Sequence, residues 1–282
     1  MELLSIIIAL IFVASALQPV IQGRLLAARR ANQIAAIEKE RGSRVITMIH
    51  RQETQNLLGF RTSRMIDLED AQQIIPAIQE TPAGTPIDLI LHTPGGMVLA
   101  AMQIARAVKA HPSRVTVHVP VYAMSGGTLI ALAADEIIMD NFSVLGPINP
   151  QISGLPAASL VEVKKEKPIA EISDLTLVLA NMGEKALRQV KAGAVEPIGD
   201  RMPAEQAASL VGQLPGGQWT HDYALTAEEA KLMGLNVKIG IPASILNLIR
   251  LYPQPIRHAP AIEFLPQNPA RSPEAPRPAS AQ

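Results

Sequence analysis

Apolar positions change their spacing several times along this chain. From Leu3 to Val20 they run almost unbroken, interrupted at Ser5, Ser15, Gln18 and Pro19. That length is close to the ~20 residues of a bilayer-spanning helix. Glu2 precedes the run and Arg24, Arg29 and Arg30 follow it, the reverse of the basic-first layout of a cleaved signal peptide. The pattern predicts an uncleaved single-pass anchor over residues 1–22 and a polar juxtamembrane helix of mixed charge over 23–43. The basic downstream flank places the following domain on the cytoplasmic side.

From Arg44 the spacing alternates between short β-branched runs and helical stripes. Val45–Ile49, Ile87–His92, Val115–Val121 and Ile137–Met139 read as strands. Between them, helices are expected from Asp67, over Met97–Lys109 and over Thr128–Ala134. Strands alternating with helices through short connections predict parallel βαβ units, hence an α/β fold. Further helices are expected over about 174–191 and 203–214. Another has both ends marked: Thr226 and Glu229 form a capping box, and Gly234 is the stop. A folded domain over 44–250 is expected, then a Pro-rich, largely disordered tail over 251–282.

Composition narrows the function. The 282 residues are 48% hydrophobic and 18% charged, enough for a sizeable core. Twenty-five basic residues balance twenty-five acidic ones and aromatics are 3%, so neither a basic footprint nor a stacking platform argues for nucleic acid. Without cysteine there is no disulfide, thiolate nucleophile or zinc–thiolate site. The six histidines are scattered, so no metal site is expected, and no G-x-G-x-x-G fingerprint suggests a dinucleotide.

The candidate chemistry lies in two glycine turns about thirty residues apart, His92-Thr93-Pro94-Gly95-Gly96-Met97 and Tyr122-Ala123-Met124-Ser125-Gly126-Gly127-Thr128. A sharp strand-to-helix turn lifts a serine hydroxyl out of the fold and leaves amides free at the helix start. A nucleophile on one turn and amides on another suit acyl transfer. Other residues are less specific. Asp135-Glu136 reads as a polar helix end, Asp88 as structural, and Trp219 as either a loop-closing or a substrate-contacting residue. Glu53 reads as a substrate contact or as a partner of Arg51.

Taken in order, these motifs resemble the Clp/crotonase superfamily, and more narrowly the membrane-bound peptidases of the serine dehydrogenase proteinase family, relatives of signal peptide peptidase A and ClpP. The resemblance is carried by Met48–Glu53, the two glycine turns, Ala133–Ile137, Leu145–Gln151 and Leu225–Ala230, and covers about residues 44–240. It implies a Clp/crotonase-like fold, Ser125 as nucleophile, and the Gly96 and Gly126 amides as the oxyanion hole. It also implies a polypeptide substrate, a homo-oligomer and no cofactor. ClpP carries a histidine base in the segment that here reads Gly146-Pro147-Ile148-Asn149-Pro150-Gln151, and this chain has none between Ser125 and His221. In signal-peptide-peptidase relatives a lysine a few dozen residues downstream takes that role. The corresponding residue here is Lys167, with Lys165 as its rival, and a base there needs its pKa lowered by an apolar cleft.

The expected function is a membrane-anchored serine endopeptidase with a Ser125–Lys167 dyad, acting on membrane-associated or unfolded polypeptides. The alternatives are a catalytically silent membrane scaffold that binds peptides, and an acyl-CoA hydratase or isomerase using the same paired amides.

Overall fold

The computed structural model describes residues 2–50, 55–57, 60–62, 64–198 and 201–252, with the side chains of 2–11, 13–16, 19, 55–57 and 60–62 excepted. In chain order the elements are α1 (Glu2–Arg41), β1 (Arg44–Ile49), β2 (Gln55–Leu57), β3 (Phe60–Thr62), α2 (Leu68–Gln79), β4 (Ile87–His92) and α3 (Val98–Ala110). Then follow β5 (Val115–Val119), β6 (Tyr122–Ala123), α4 (Gly126–Leu132), β7 (Glu136–Met139), β8 (Val144–Leu145), β9 (Gln151–Ile152) and β10 (Leu155–Pro156). The last group is α5 (Ala157–Glu166), α6 (Asp174–Ile198), α7 (Ala204–Gln213), α8 (Ala227–Leu232), β11 (Val237–Ile239) and α9 (Ala243–Arg250).

A five-stranded sheet of order β1-β4-β5-β7-β11 forms the centre, and every adjacent pair is parallel. β4 and β5 are buried along their whole length, as inner strands of a parallel sheet covered on both faces must be. Side chains alternate between two clusters. Leu89 and Leu91 of β4, Ile46 and Met48 of β1, and Ile137 and Met139 of β7 join the large core with residues of α2, α3, α4, α6 and α7. Ile90, Val45 and Ile138 point to the other face, where Ile37 of α1 and Ile245 and Leu248 of α9 cover them. The period of two thus assigns each strand residue to one of two helical layers.

Asp88 faces the α1 side and ties that helix to the sheet. Its carboxylate accepts from Arg41 Nε (2.7 Å), Arg41 Nη2 (3.0 Å) and Ser43 Oγ (2.5 Å), and lies 2.7 Å from His118 Nε2. Burial alone would raise its pKa. The hydrogen bonds from His118, Arg41 and Ser43 outweigh burial and hold it well below the usual carboxylate range. Further along α1, Arg30 lies over the Tyr252 ring and donates to the Leu251 carbonyl at 2.7 Å. The last turns of α1 are therefore packed on the domain rather than standing off it.

Among the described residues no helix is long and apolar enough to cross a membrane. The expected anchor is thus not shown. α1 runs as one helix from Glu2 to Arg41, but most side chains of the Leu3–Val20 run lie outside the described residues. The residues after Tyr252, where the Pro-rich tail is expected, also lie outside them.

The parallel βαβ reading holds, and the capping box at Thr226 and Glu229 is present. Three elements carry no clear pattern in the sequence. The β2–β3 hairpin is too short to alternate. α5 looks like a charged loop because Lys164, Lys165 and Glu166 close it. α9 has only eight residues. Asp135 accepts the Val115 amide (2.7 Å), and Glu136 pairs with Arg114 and with Lys238. Both are structural, as the sequence suggests.

Candidate active site

Four chain segments line up side by side beyond the carboxyl ends of the strands. Thr93 bridges Ala123, Ala123 pairs with Leu145, and Leu145 bridges Leu225. Each delivers one part of a common site. Thr93 leads into Pro94-Gly95-Gly96, Ala123 into Met124-Ser125-Gly126, and Leu145 into the loop Gly146–Gln151. Leu225 closes the segment that starts at Trp219. The Thr128 hydroxyl locks two of these parts together, 2.8 Å from the carbonyls of Ala123 and Gly146 and accepting the Gly146 amide at 3.0 Å.

Ser125 is the N-cap of α4, with φ 51 and ψ −113. Among the described non-glycine residues only Ser153 shares a positive φ. A side chain held in this region is strained, and such strain persists only where the surroundings over-determine it. Here the turn of Gly95 presses on it from the neighbouring strand end. Gly95 has φ +97, and a Cβ on it would stand 2.7 Å from Ser125 Cβ and 2.7 Å from the Met124 carbonyl oxygen. Only glycine permits that approach.

The two expected amides also converge. A Cβ on Gly126 would stand 3.6 Å from the Gly96 nitrogen, so the two glycine turns approach closely, and both line the cleft at Ser125. Their neighbours are engaged: Gly95 N–H donates to Thr93 Oγ1 (3.1 Å), Met97 N–H to Ile66 O (2.8 Å) and Gly127 N–H to Met124 O (2.8 Å). Among the described residues neither the Gly96 nor the Gly126 amide has a protein acceptor. Two unused donors beside a lifted hydroxyl are the parts that acyl transfer needs.

Ser125, Gly96 and Gly126 open into one cleft of about 360 Å³. Met65, Met97, Leu129 and Ile148 give it an apolar wall, and Asn149, Gln151 and His221 supply polar atoms. His221 is the functional candidate that sequence reasoning passed over. Its Nδ1 is buried and has no hydrogen-bond partner among the described residues. Long-range contacts hold the segment that bears it. Asn149 Nδ2 donates to Trp219 O (2.8 Å), Leu225 exchanges both backbone bonds with Leu145, Trp219 stacks on Tyr223, and Tyr223 Oη donates to Glu229 Oε1 (2.6 Å). Glu229 is the third helical residue of the capping box that Thr226 opens on α8, so the legible capping box also anchors the histidine segment. Asp222, next in sequence, keeps a lowered pKa through hydrogen bonds from Thr220 and its own backbone, with a further contribution from His221. Trp219 thus closes its loop and does not line the cleft.

Lys167 is not brought to this cleft within the chain. It is exposed at the C-cap of α5, where its amide donates to Val163 O (3.2 Å). Lys165 pairs with Glu162 (3.4 Å) and Lys164 with Glu184 (2.9 Å). His92 is buried against the Tyr122 ring, centroids 4.3 Å apart, and is absent from the cleft lining. Arg51 and Glu53 lie outside the described residues.

The model of the ClpP-like SDH-type serine proteinases matches residues 1–280. Two uncharacterized proteins of Methanocaldococcus jannaschii are similar to the chain. MJ0137 is 46% identical over 262 residues, 93% of this chain and 92% of that protein. MJ1495 is 46% identical over 238 residues, 84% of this chain and 81% of that protein. The match runs through the parallel sheet, both glycine turns and the segment bearing His221, and by it this chain belongs to the ClpP-like SDH-type serine proteinases.

Proposed function

We propose that this chain is a serine endopeptidase in which Ser125 attacks a peptide carbonyl and the Gly96 and Gly126 amides hold the resulting oxyanion. The observation that carries the reading is the meeting of a strained serine with two acceptor-free amides in one cleft. As Ser125 Oγ bonds to the carbonyl carbon, its proton passes to a base. Collapse breaks the C–N bond, and the same proton leaves with the amine. Water then attacks the acyl-serine ester and gives a proton to the base; the ester C–O bond breaks, the base passes that proton to Ser125 Oγ, and the acid departs.

Two bases compete. The resemblance to signal-peptide-peptidase relatives favours Lys167, which would reach the cleft only if the segment after α5 moved or came from a neighbouring copy. His221 is favoured by its position in the cleft and its partnerless Nδ1, and we take it as the base. The cleft's apolar wall and open rim suit an extended polypeptide. The exposed Ile169, Leu175, Val178 and Met182 beside the α5–α6 pair support a homo-oligomer. Exposure of Phe12, Leu17, Val20 and Ile21 on α1, with the apolar run itself, supports an N-terminal anchor and substrates near a bilayer.

A fluorophosphonate probe on the full chain tests this reading. Wild type labels and Ser125→Ala does not. Loss of the base slows labelling by about 10²–10⁴-fold, in His221→Gln and not in Lys167→Met. The opposite ranking installs the lysine, and labelling that survives Ser125→Ala removes the proposal.

A further inference from the structure

His50 and Thr93 follow the ends of β1 and β4, one residue beyond the paired Ile49 and His92. Both are buried, His50 with 4% and Thr93 with 0% of its surface exposed. Thr93 Oγ1 lies 2.9 Å from His50 Nδ1 and accepts the Gly95 N–H at 3.1 Å. His50 Nε2 lies 3.2 Å from Asp70 Oδ2. One assignment of protons satisfies the whole chain. Thr93 Oγ1 accepts from Gly95 and directs its own proton to His50 Nδ1, which leaves the imidazole proton on Nε2 to be donated to Asp70.

This relay ends on the turn that bears the Gly96 amide, and Thr93 also fixes the opposite turn. Its carbonyl accepts the Met124 N–H at 3.0 Å, and a Cβ on Gly127 would stand 2.6 Å from its Cγ2. From the other side, Ile66 clamps the same glycines, donating to Gly95 O and accepting from Met97 N–H, both at 2.8 Å. Ile66 is in turn set by the start of α2, where Asp67 and Asp70 form a capping box. Asp70 Oδ2 accepts the Asp67 amide at 2.9 Å, so one carboxylate serves both the helix cap and the relay.

We infer that the Asp70–His50–Thr93 relay is a positioning device that holds the Gly95–Gly96 turn at the distance from Ser125 that places the Gly96 amide on the developing oxyanion. This rests on the peptidase reading and concerns a set of residues separate from its nucleophile and base. Because the amide binds charge that exists only in the transition state, losing its alignment slows the chemical step and leaves ground-state binding alone.

The test measures fluorophosphonate inactivation of the full chain, separating the limiting rate kinact from the half-saturating concentration KI. Thr93→Val keeps the shape and removes the hydroxyl. It lowers kinact about tenfold or more, as expected for a misaligned oxyanion donor, with KI within about twofold. Thr93→Ser keeps the hydroxyl and restores the rate. His50→Asn gives a similar loss, and the Thr93→Val/His50→Asn pair is no slower than either alone, because both act through one chain. A wild-type kinact in Thr93→Val, a change confined to KI, or multiplicative losses in the pair overturns the inference. If Thr93→Val does not fold, Asp70→Asn carries the same test from the solvent end of the relay. Wild type that shows no Ser125-dependent labelling removes the peptidase reading and the relay together. Wild type that labels normally alongside an unaffected Thr93→Val removes the relay alone.

Discussion

Gly126→Ala separates the oxyanion hole from ordinary packing. The added methyl would stand 3.0 Å from Ala101 Cβ, 3.4 Å from Ile66 Cδ1 and 3.6 Å from the Gly96 nitrogen. The first contact forces α3 and α4 apart by a few tenths of an ångström, an overpacking cost of about 1–3 kcal/mol. The third is ordinary van der Waals contact that sets carbon beside the Gly96 nitrogen, so the proposed oxyanion loses room next to that donor. Removal of one such donor costs ~2.7–4 kcal/mol of barrier, or about 10²–10³ in rate. The assay is fluorophosphonate labelling with thermal unfolding measured in parallel, on Gly126→Ala and on Gly126→Ala/Ala101→Gly. The second change deletes the methyl that clashes, at about 1 kcal/mol for glycine within a helix. Labelling stays about 10²-fold down in both proteins, since only the methyl at position 126 faces the Gly96 amide. Recovery of the rate in the double variant would show that packing alone was at fault, and the oxyanion assignment would fail.

Three more expectations follow from the same geometry. Ser125→Gly should be about 1 kcal/mol more stable than Ser125→Ala, because both lose the hydroxyl and only glycine relaxes the strained turn; equal melting temperatures would deny the strain. Asp88→Asn should cost about 3–5 kcal/mol at pH 7 by breaking the buried pair with Arg41. Since the folded pKa of Asp88 lies below its unfolded value, that stabilisation is present above about pH 4 and fades as pH falls further. Urea unfolding at pH 7 and pH 3 should therefore show the two proteins converging in acid, and divergence would reverse the sign. Thr226→Ala should lower stability by about 1 kcal/mol through loss of the cap. It should also slow labelling several-fold by loosening the segment that carries His221; unchanged labelling would show that the cap does not position the histidine.

Local signals were legible wherever one face or one end was involved. The strand runs at Val45, Ile87, Val115 and Ile137 needed only their neighbours in sequence, because burial on both sides demands continuous apolar character. The glycines at 95, 96 and 126 were readable because a close backbone approach excludes a Cβ. The Thr226–Glu229 box was readable because capping is satisfied within four residues. α5 was hidden, since its polar, charged surface looks like a solvated loop. The placement of His221 in the cleft was hidden for a different reason. It follows Ser125 by almost a hundred residues, and long-range contacts such as the Leu145–Leu225 bridge and the Asn149–Trp219 hydrogen bond bring its segment to the cleft.

The sequence by itself therefore determined the parallel α/β sheet, the serine turn and the pair of glycine amides, all of which rest on residue type and short-range spacing. Tertiary structure decided that His221 lines the Ser125 cleft, and that His50, Thr93 and Asp70 stand behind the Gly95–Gly96 turn. Both outcomes depend on lateral pairing between strands distant in sequence, and such pairing is set by the register of the whole sheet rather than by any local pattern.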